Sequence, residues 1–341
     1  MNDYDALIVV SFGGPEGMDD VMPFLENVLR GKNVPRERML EVAEHYRHFG
    51  GVSPINEQNR QLILAIKQEL AAHQINLPVY WGNRNWHPML PDTLRQMRDD
   101  GVRKALAFFT SIYSCYSGCR QYRENIADAQ ASLGEDAPAI DKLRMPFNHP
   151  LYIEASVDRV RSALQQLPDS QRADATIFFT AHSIPLSMAS GCKYETQLLE
   201  SCRLIMDQIG TQPWKLVYQS RSGPPSQPWL EPDVCDAIRD LKAHSNASTL
   251  VIMPVGFVSD HMEVLFDLDT EAHDLCVELG LTMVRSKTVG THPKFVSMIR
   301  ELILERLQGT TKRAIGNMPA NWDVCPADCC SYVRPTGRPG V

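Results

Sequence analysis

Short apolar runs alternate with helical patterns from one end of the chain to the other, and that alternation leaves few architectures open. In the first half the runs are Ala6 to Phe12, Pro78 to Trp81 and Lys104 to Thr110, interleaved with helical patterns near Met18–Leu29, Arg60–Ala72 and Cys119–Ala131. In the second half they are Ala175 to Thr180, Lys215 to Gln219 and Thr249 to Val255. Helical patterns there lie near Tyr194–Gln208, Asp233–Ala243, Asp260–Leu279 and His292–Leu307. Helix-length segments between strands imply βαβ crossovers, so the expected class is α/β with mainly parallel sheets, built as two similar halves. Proline disfavours helix in the residue before it, which places the break near Asn148-His149-Pro150, with Leu151–Leu167 opening the second half. The expected units are 1–149, 150–310 and a cysteine-containing tail, 311–341.

The chain has 341 residues, enough for two ordinary domains, and a formal charge of −7. Nucleic-acid and anionic-membrane binding depend on a positive field, so neither partner is expected. The acidic start Met1-Asn2-Asp3-Tyr4-Asp5 lacks the basic region and apolar stretch of a signal peptide. No apolar run approaches the roughly 18 residues of a spanning helix. A soluble, cytoplasmic protein is expected, acting as a monomer.

His182 follows the apolar run ending at Thr180 and should therefore sit just past the carboxyl end of a buried strand, where open α/β sheets place ligand chemistry. Glu263, Asp267 and Glu271 are spaced i, i+4, i+8 and stack along one side of a helix. Such a row suits a divalent cation or protons, although a solvated amphipathic helix presents the same stripe and a histidine after a strand is often purely structural. A strict α-helix drifts about 40° for each four-residue step. The three carboxylates would align best on a helix locally widened toward π geometry.

Nine cysteines in a cytosolic chain argue for something other than disulfides. Cys325, Cys329 and Cys330 fall within Asp323-Val324-Cys325-Pro326-Ala327-Asp328-Cys329-Cys330, as in part of a zinc or iron–sulfur site with a distant fourth ligand. Cys119, then Cys115 and Cys192, are the candidates for that ligand. Cys202, Cys235 and Cys276 lie in helical patterns and read as small core residues. The turn Ser11-Phe12-Gly13-Gly14-Pro15-Glu16-Gly17 is not a dinucleotide fingerprint, because its spacing is wrong and Pro15 lacks an N–H. It fits a tight turn that admits a flat ligand, and Tyr46, Phe49, Trp81, Trp86 and Tyr122 could line a slot for a planar macrocycle or serve as core.

Five segments together resemble the ferrochelatase family: Ser11-Phe12-Gly13-Gly14-Pro15-Glu16, His48-Phe49-Gly50-Gly51-Val52-Ser53-Pro54-Ile55-Asn56, Thr180-Ala181-His182-Ser183-Ile184-Pro185, Tyr218-Gln219-Ser220-Arg221-Ser222-Gly223-Pro224 and Pro254-Val255-Gly256-Phe257-Val258-Ser259-Asp260-His261-Met262-Glu263. Gly82-Asn83-Arg84-Asn85-Trp86 and Tyr116-Ser117-Gly118-Cys119-Arg120-Gln121-Tyr122 look most like the actinobacterial branch, whose members insert iron into coproporphyrin III. The resemblance implies two Rossmann-like domains with a porphyrin cleft between them. It implies His182 and Glu263 as the central catalytic and Fe²⁺-handling pair, with Asp267 and Glu271 as an ion path. It also implies Ser53 and Tyr122 on the porphyrin, and Phe12 and Arg30 are further candidates for contacting it. Some family members carry a [2Fe–2S] cluster on a C-terminal tail, and Cys325, Cys329 and Cys330, with Cys119, resemble that arrangement. Two departures stand out. Phe12 occupies the position where another bacterial branch has a tyrosine that can reach the iron, and the tail spacing differs from that of the animal enzymes, whose internal cysteine has no equivalent after His149-Pro150.

The expected reaction is therefore insertion of Fe²⁺ into coproporphyrin III, with protoporphyrin IX as the alternative substrate. A neutral imidazole accepts a pyrrole proton, and a carboxylate relays it or holds the metal through weak oxygen contacts. The four propionates of coproporphyrin call for more donors than the two of protoporphyrin, and Arg30, Arg47, Arg84, Arg120 and Arg123 are available. The rivals are a porphyrin or metal carrier without turnover, a chelatase for cobalt or nickel, and, more remotely, a nicotinamide-dependent dehydrogenase.

Overall fold

A computed structural model of the protein describes residues 4–31 and 34–332. Eight strands among them form two four-stranded sheets, parallel throughout. The first holds β1 (Ala6–Ser11), β2 (Val79–Asn83), β3 (Lys104–Phe109) and β4 (Ala139–Lys142), in the order β2-β1-β3-β4. The second holds β5 (Thr176–His182), β6 (Trp214–Gln219), β7 (Thr249–Met253) and β8 (Thr282–Arg285), in the order β6-β5-β7-β8. The expected α/β class is borne out, and both halves share one topology. In each sheet the strand order reverses beside the first strand, so the switch-point crevice opens at the carboxyl ends of β1 and β5.

Every residue of β1 and β7 is buried, as strands covered by helices on both faces must be. The edge strands β4 and β8 are four residues each and mostly only part-buried, and neither was expected from the apolar runs. The polar helices Arg36–His48 and Leu90–Asp99 were missed as well. The helix expected over Leu151–Leu167 runs from Pro150 to Leu164. Its proline takes the first helical position, and His149 Nδ1 accepts from the Leu151 amide at 3.2 Å. Helix Pro293–Gln308 opens on the same His-Pro device, with His292 Nδ1 accepting from the Lys294 amide at 3.3 Å.

These two helices pack on each other within an apolar core that reaches both sheets. Leu7, Val9, Leu106 and Phe108 of the first sheet share it with Ile177, Phe179, Val251 and Met253 of the second, around Tyr152 and Phe295. Tyr152 donates its hydroxyl proton to the Val255 carbonyl at 3.0 Å, so Tyr113 is the donor in the 2.9 Å contact between the two phenols.

The tail after Gln308 runs back over this junction. Ile315 N donates to Asn148 O at 3.0 Å, Asn148 Nδ2 to Met318 O at 2.7 Å, and Asn321 Nδ2 to Met145 O at 2.8 Å. Of the expected tail, 333–341 lie outside the described residues. The Arg144 guanidinium grips Glu305 through two bonds of 2.7 and 2.8 Å and donates a third, of 2.8 Å, to Arg313 O, with the two side chains 0% and 3% exposed. Removing one partner strands a buried charge. Glu305→Ala should lower the unfolding free energy by roughly 3–5 kcal/mol, measured as a fall in the urea midpoint; a change below about 1 kcal/mol would mean that water reaches the guanidinium.

Candidate active site

His182 is the last residue of β5, paired in register with Gln219 at the end of β6. Its Nδ1 lies against the Ser183 carbonyl, which can only accept, so Nδ1 carries a proton and Nε2 is the ring nitrogen left to face Glu263. Nε2 stands 3.8 Å from Glu263 Oε2, and both groups keep solvent access, at 35% and 47% side-chain exposure. The geometry thus sets an imidazole nitrogen opposite a carboxylate. His261, which was quoted only as part of a motif, approaches the same oxygen through Nε2 at 3.5 Å. Its place two residues before Glu263 was the available signal.

The single helix expected over Asp260–Leu279 is three segments: Met262–Val264, a π-helix over Leu265–Ala272, and His273–Glu278. The expected π widening is therefore present, and the wider turn counters the angular drift of a carboxylate row. Asp267 turns toward β6, where Gln219 Nε2 donates to its Oδ2 at 3.1 Å and Ser220 Oγ donates to the same oxygen. Burial pushes the Asp267 carboxyl up to about 7, and the charges of Glu263 and Glu271 add to the rise against the two hydrogen bonds. Glu271, more exposed, is raised too, by partial desolvation and by Asp233.

The opposite wall is aromatic. Phe12 follows β1 and meets Phe24 edge-on at 6.2 Å, and Phe24 in turn meets Tyr46 at 5.9 Å and Trp86 at 6.3 Å. Met262 and Phe266 from the Glu263 segment join this cluster, so the two halves meet here. Gly13 has φ +83° and lies so close to Asn83 and Trp86 that a Cβ would come within 2.9 Å of Asn83 Cβ, so a side chain is excluded on both counts. Ser53 is buried and its amide donates to Pro15 O at 2.9 Å, fastening it beneath the same turn. Tyr122 is buried against Phe109, with the Arg84 guanidinium 4.5 Å above its ring and 5.7 Å from that of Phe12. Arg30 is exposed and donates to Asn27 Oδ1 at 2.5 Å.

A second group of side chains lies apart. Cys119, in the π-turn Tyr116–Arg120, hydrogen-bonds with Cys325, and Cys329 Sγ is 3.6 Å from Cys330 Sγ. Arg120 holds the tail turn through the carbonyls of Ala327 at 2.7 Å and Cys329 at 3.2 Å, and Lys142 Nζ donates to Trp322 O at 3.0 Å. The Cys119 thiol and the Lys142 and Arg123 cations hold the Cys325 thiol below its ordinary range. Cys115 instead caps the π-turn, accepting from Gly118 N at 3.2 Å, and Cys192 turns to Met188 O at 3.3 Å. Among the described residues, no three His, Cys, Asp or Glu side chains stand close enough to hold a metal ion as placed.

Two parallel four-stranded sheets of matching order make a twofold α/β fold that is also found in chelatases. A solved structure of SirB from Bacillus subtilis with Fe3+ shares the fold at a TM-score of 0.53, with 11% identity and coverage of 89% of this chain and 96% of that one. The ferrochelatase family model matches residues 4–307. A ferrochelatase from Rhodopirellula baltica is 62% identical over 98% of this chain and 97% of its own length. A coproporphyrin III ferrochelatase from Streptomyces coelicolor is 52% identical over 97% and 94%. The chain belongs to the ferrochelatase family.

The raised Asp267 carboxyl gives stability a pH signature. Below about pH 4 folded and unfolded chains both bind the proton; from there to about 7 only the folded chain keeps it, so stability falls as pH rises, and above 7 the deficit is constant. Asp267→Asn should therefore be more stable than the wild type by an amount that grows between about pH 4 and 7 and then levels, reaching a few kcal/mol. Urea midpoints across that range measure it; a constant offset would show that Asp267 titrates normally.

Proposed function

We propose that this chain inserts Fe²⁺ into coproporphyrin III in the cytoplasm, with His182 and Glu263 as the central pair. The carrying observation is His182 Nε2 facing Glu263 at 3.8 Å beside the carboxyl end of β5. Insertion releases two pyrrole protons, and a neutral imidazole accepts one and passes it toward a carboxylate within reach. Asp267 and Glu271 continue from there as a path for ions or protons. Carboxylate oxygens suit a divalent ion that must be held weakly and then released.

On this reading Phe12, Ser53, Tyr122 and Arg30 contact the porphyrin. Since Phe12 offers no phenolate, the iron is handled from the His182 side. Residues 1–149 and 150–310 are the two halves that enclose the macrocycle, 311–341 is the tail, and one copy suffices for turnover. No helix among the described residues is long and apolar enough to cross a membrane. The names of relatives such as the Streptomyces coelicolor protein support coproporphyrin, whereas that of the Rhodopirellula baltica protein leaves the porphyrin open. Protoporphyrin IX is thus the second reading.

Cys119, Cys325, Cys329 and Cys330 would hold a [2Fe–2S] cluster on this reading: thiols are its donors, Cys119 contacts Cys325 and Cys329 lies beside Cys330, the four sulfurs would draw together on binding it, and Lys142 and Arg123 are at hand to offset a thiolate-ligated centre. Such a centre, when bound, supplies one-electron redox chemistry. The chain's own part is to fasten the tail turn beside the π-turn through Arg120.

Incubated anaerobically with Fe²⁺, the protein should shift the Soret and visible bands of coproporphyrin III and leave protoporphyrin IX unmetallated; the reverse preference would establish the second reading, and binding without conversion a carrier. His182→Ala should abolish insertion while porphyrin quenching of protein fluorescence persists, and loss of binding with an intact fold would overturn the role given to His182. Anaerobically purified protein should contain iron and acid-labile sulfide in equal amounts, both lost in Cys325→Ser; sulfide-free wild-type protein would remove the cluster.

A further inference from the structure

The proposed chemistry needs Glu263, carried by the second half, to stand at a fixed distance from a porphyrin wall built by the first. Side-chain contacts that set this distance must cross the cleft and end close to both parts. Gln58 does so. It lies in the first turn of helix Ile55–Ala72, its backbone amide bonded to Pro54 O at 3.0 Å, five residues after Ser53. Its side-chain Nε2 donates to Asp260 O at 3.1 Å, and its Oε1 accepts from Asp260 N at 2.9 Å. Asp260 precedes His261 by one residue and Glu263 by three.

A carboxamide that pairs with both polar atoms of one residue's backbone fixes direction as well as distance, because a donor and an acceptor must be met at once. The far side of Asp260 is held just as closely. Its Oδ1 accepts from Arg285 Nη1 at 2.6 Å and from Thr288 N at 3.3 Å. Arg285 also grips Asp269 on the π-helix, with Nη2 to Oδ2 at 2.9 Å and Nε to Oδ1. Gln58, Asp260, Arg285 and Asp269, on the segment bearing Asp267, thus form one continuous chain of polar contacts that starts five residues after Ser53. Gln58 is the only member of it that spans from one half to the other, is half-buried, and is uncharged at every pH.

We propose that Gln58 is a positioning residue for metal insertion: its amide clamps the Asp260 backbone and thereby sets how far the Glu263 segment stands from the Ser53 wall. This rests on the reading that His182 and Glu263 carry the proton transfer. Gln58 acts through the Asp260 backbone and not on the reacting atoms. Its loss lets the Glu263 segment shift from the Ser53 wall, and so from a porphyrin seated there, and metal insertion is steeply sensitive to such displacement.

The test uses the full chain in the anaerobic insertion assay with Fe²⁺ and porphyrin, from about pH 5 to 8. Gln58→Ala removes both bonds. It should lower kcat about tenfold, by analogy with the rate losses that small misplacements cause, while KM for porphyrin stays within about twofold and the melting temperature barely moves. Gln58→Glu supplies an internal control. The ionised carboxylate has no donor and repels the Asp260 carbonyl, whereas the protonated acid restores both bonds, its O–H donating to the carbonyl and its C=O accepting the amide. The ratio of Gln58→Glu to wild-type kcat should therefore rise as pH falls toward about 5, where a glutamate gains its proton. The same ratio for Gln58→Ala should stay flat.

Wild-type kcat in Gln58→Ala, a kcat loss matched by an equal loss of stability, or a flat ratio for Gln58→Glu would each overturn the clamp. Glu263→Gln in the same assay separates the two ideas. If that variant turns over normally, the reading of Glu263 fails and takes the clamp with it; if it is inactive and Gln58→Ala is not impaired, the clamp alone fails.

Discussion

The molecule depends on one apolar core that belongs to both sheets. Each four-stranded sheet is too small to bury both faces by itself, so the helices Pro150–Leu164 and Pro293–Gln308 fill the space between the halves, with Tyr152 and Phe295 at its centre. Packing at crystal-like density does not deform continuously, so two sheets that share a core keep a fixed relative attitude. The buried Arg144–Glu305 pair and the tail bonds to Asn148 and Met145 fasten the same junction from outside. Strand ends on halves so joined hold their relative places whether or not a ligand is present.

Inside that frame the electrostatics are local. A carboxylate held out of water beside two others resists ionisation, and the structure answers it with the Ser220 hydroxyl and the Gln219 amide from the end of β6. Gln219 is also the register partner of His182, so a single strand end steadies both the imidazole and the carboxylate row. The π-helix is the backbone's share of the same arrangement, turning the Asp267 side chain to β6 while Leu268 and Ala272 stay in the core.

Much of this was legible in the residues because the physics is periodic. Buried strands such as β1, β5 and β7 announce themselves as unbroken apolar runs, and the four-residue spacing of Glu263, Asp267 and Glu271 carried the π widening within it. The edge strands β4 and β8 were not legible, because a half-exposed strand of four residues needs no apolar run and is defined by the neighbour it bonds to. The helix Arg36–His48 was hidden for a related reason: about half of its residues are charged, and only Ala43 and Tyr46 are buried. Pairing in space was the least legible. Nothing in the spacing of Gln58 and Asp260, 202 residues apart, suggests the amide clamp, and among the cysteines only the folded chain shows that Cys119 meets the tail while Cys115 caps a turn.

The raised Asp267 carboxyl bears on how a metal could be handled without being kept. A fully ionised row of three carboxylates would bind a divalent cation firmly and release it slowly, because each added oxygen ligand deepens the well. With its middle member poised near 7, the row exchanges a proton for part of a cation's charge at small net change in free energy. Iron moving one way and protons moving the other would then compete for the same oxygens, and each would displace the other. On the proposed reading, a coupled exchange of this kind would suit a reaction that consumes one divalent ion and liberates two protons, with the most buried carboxylate at the middle of the row.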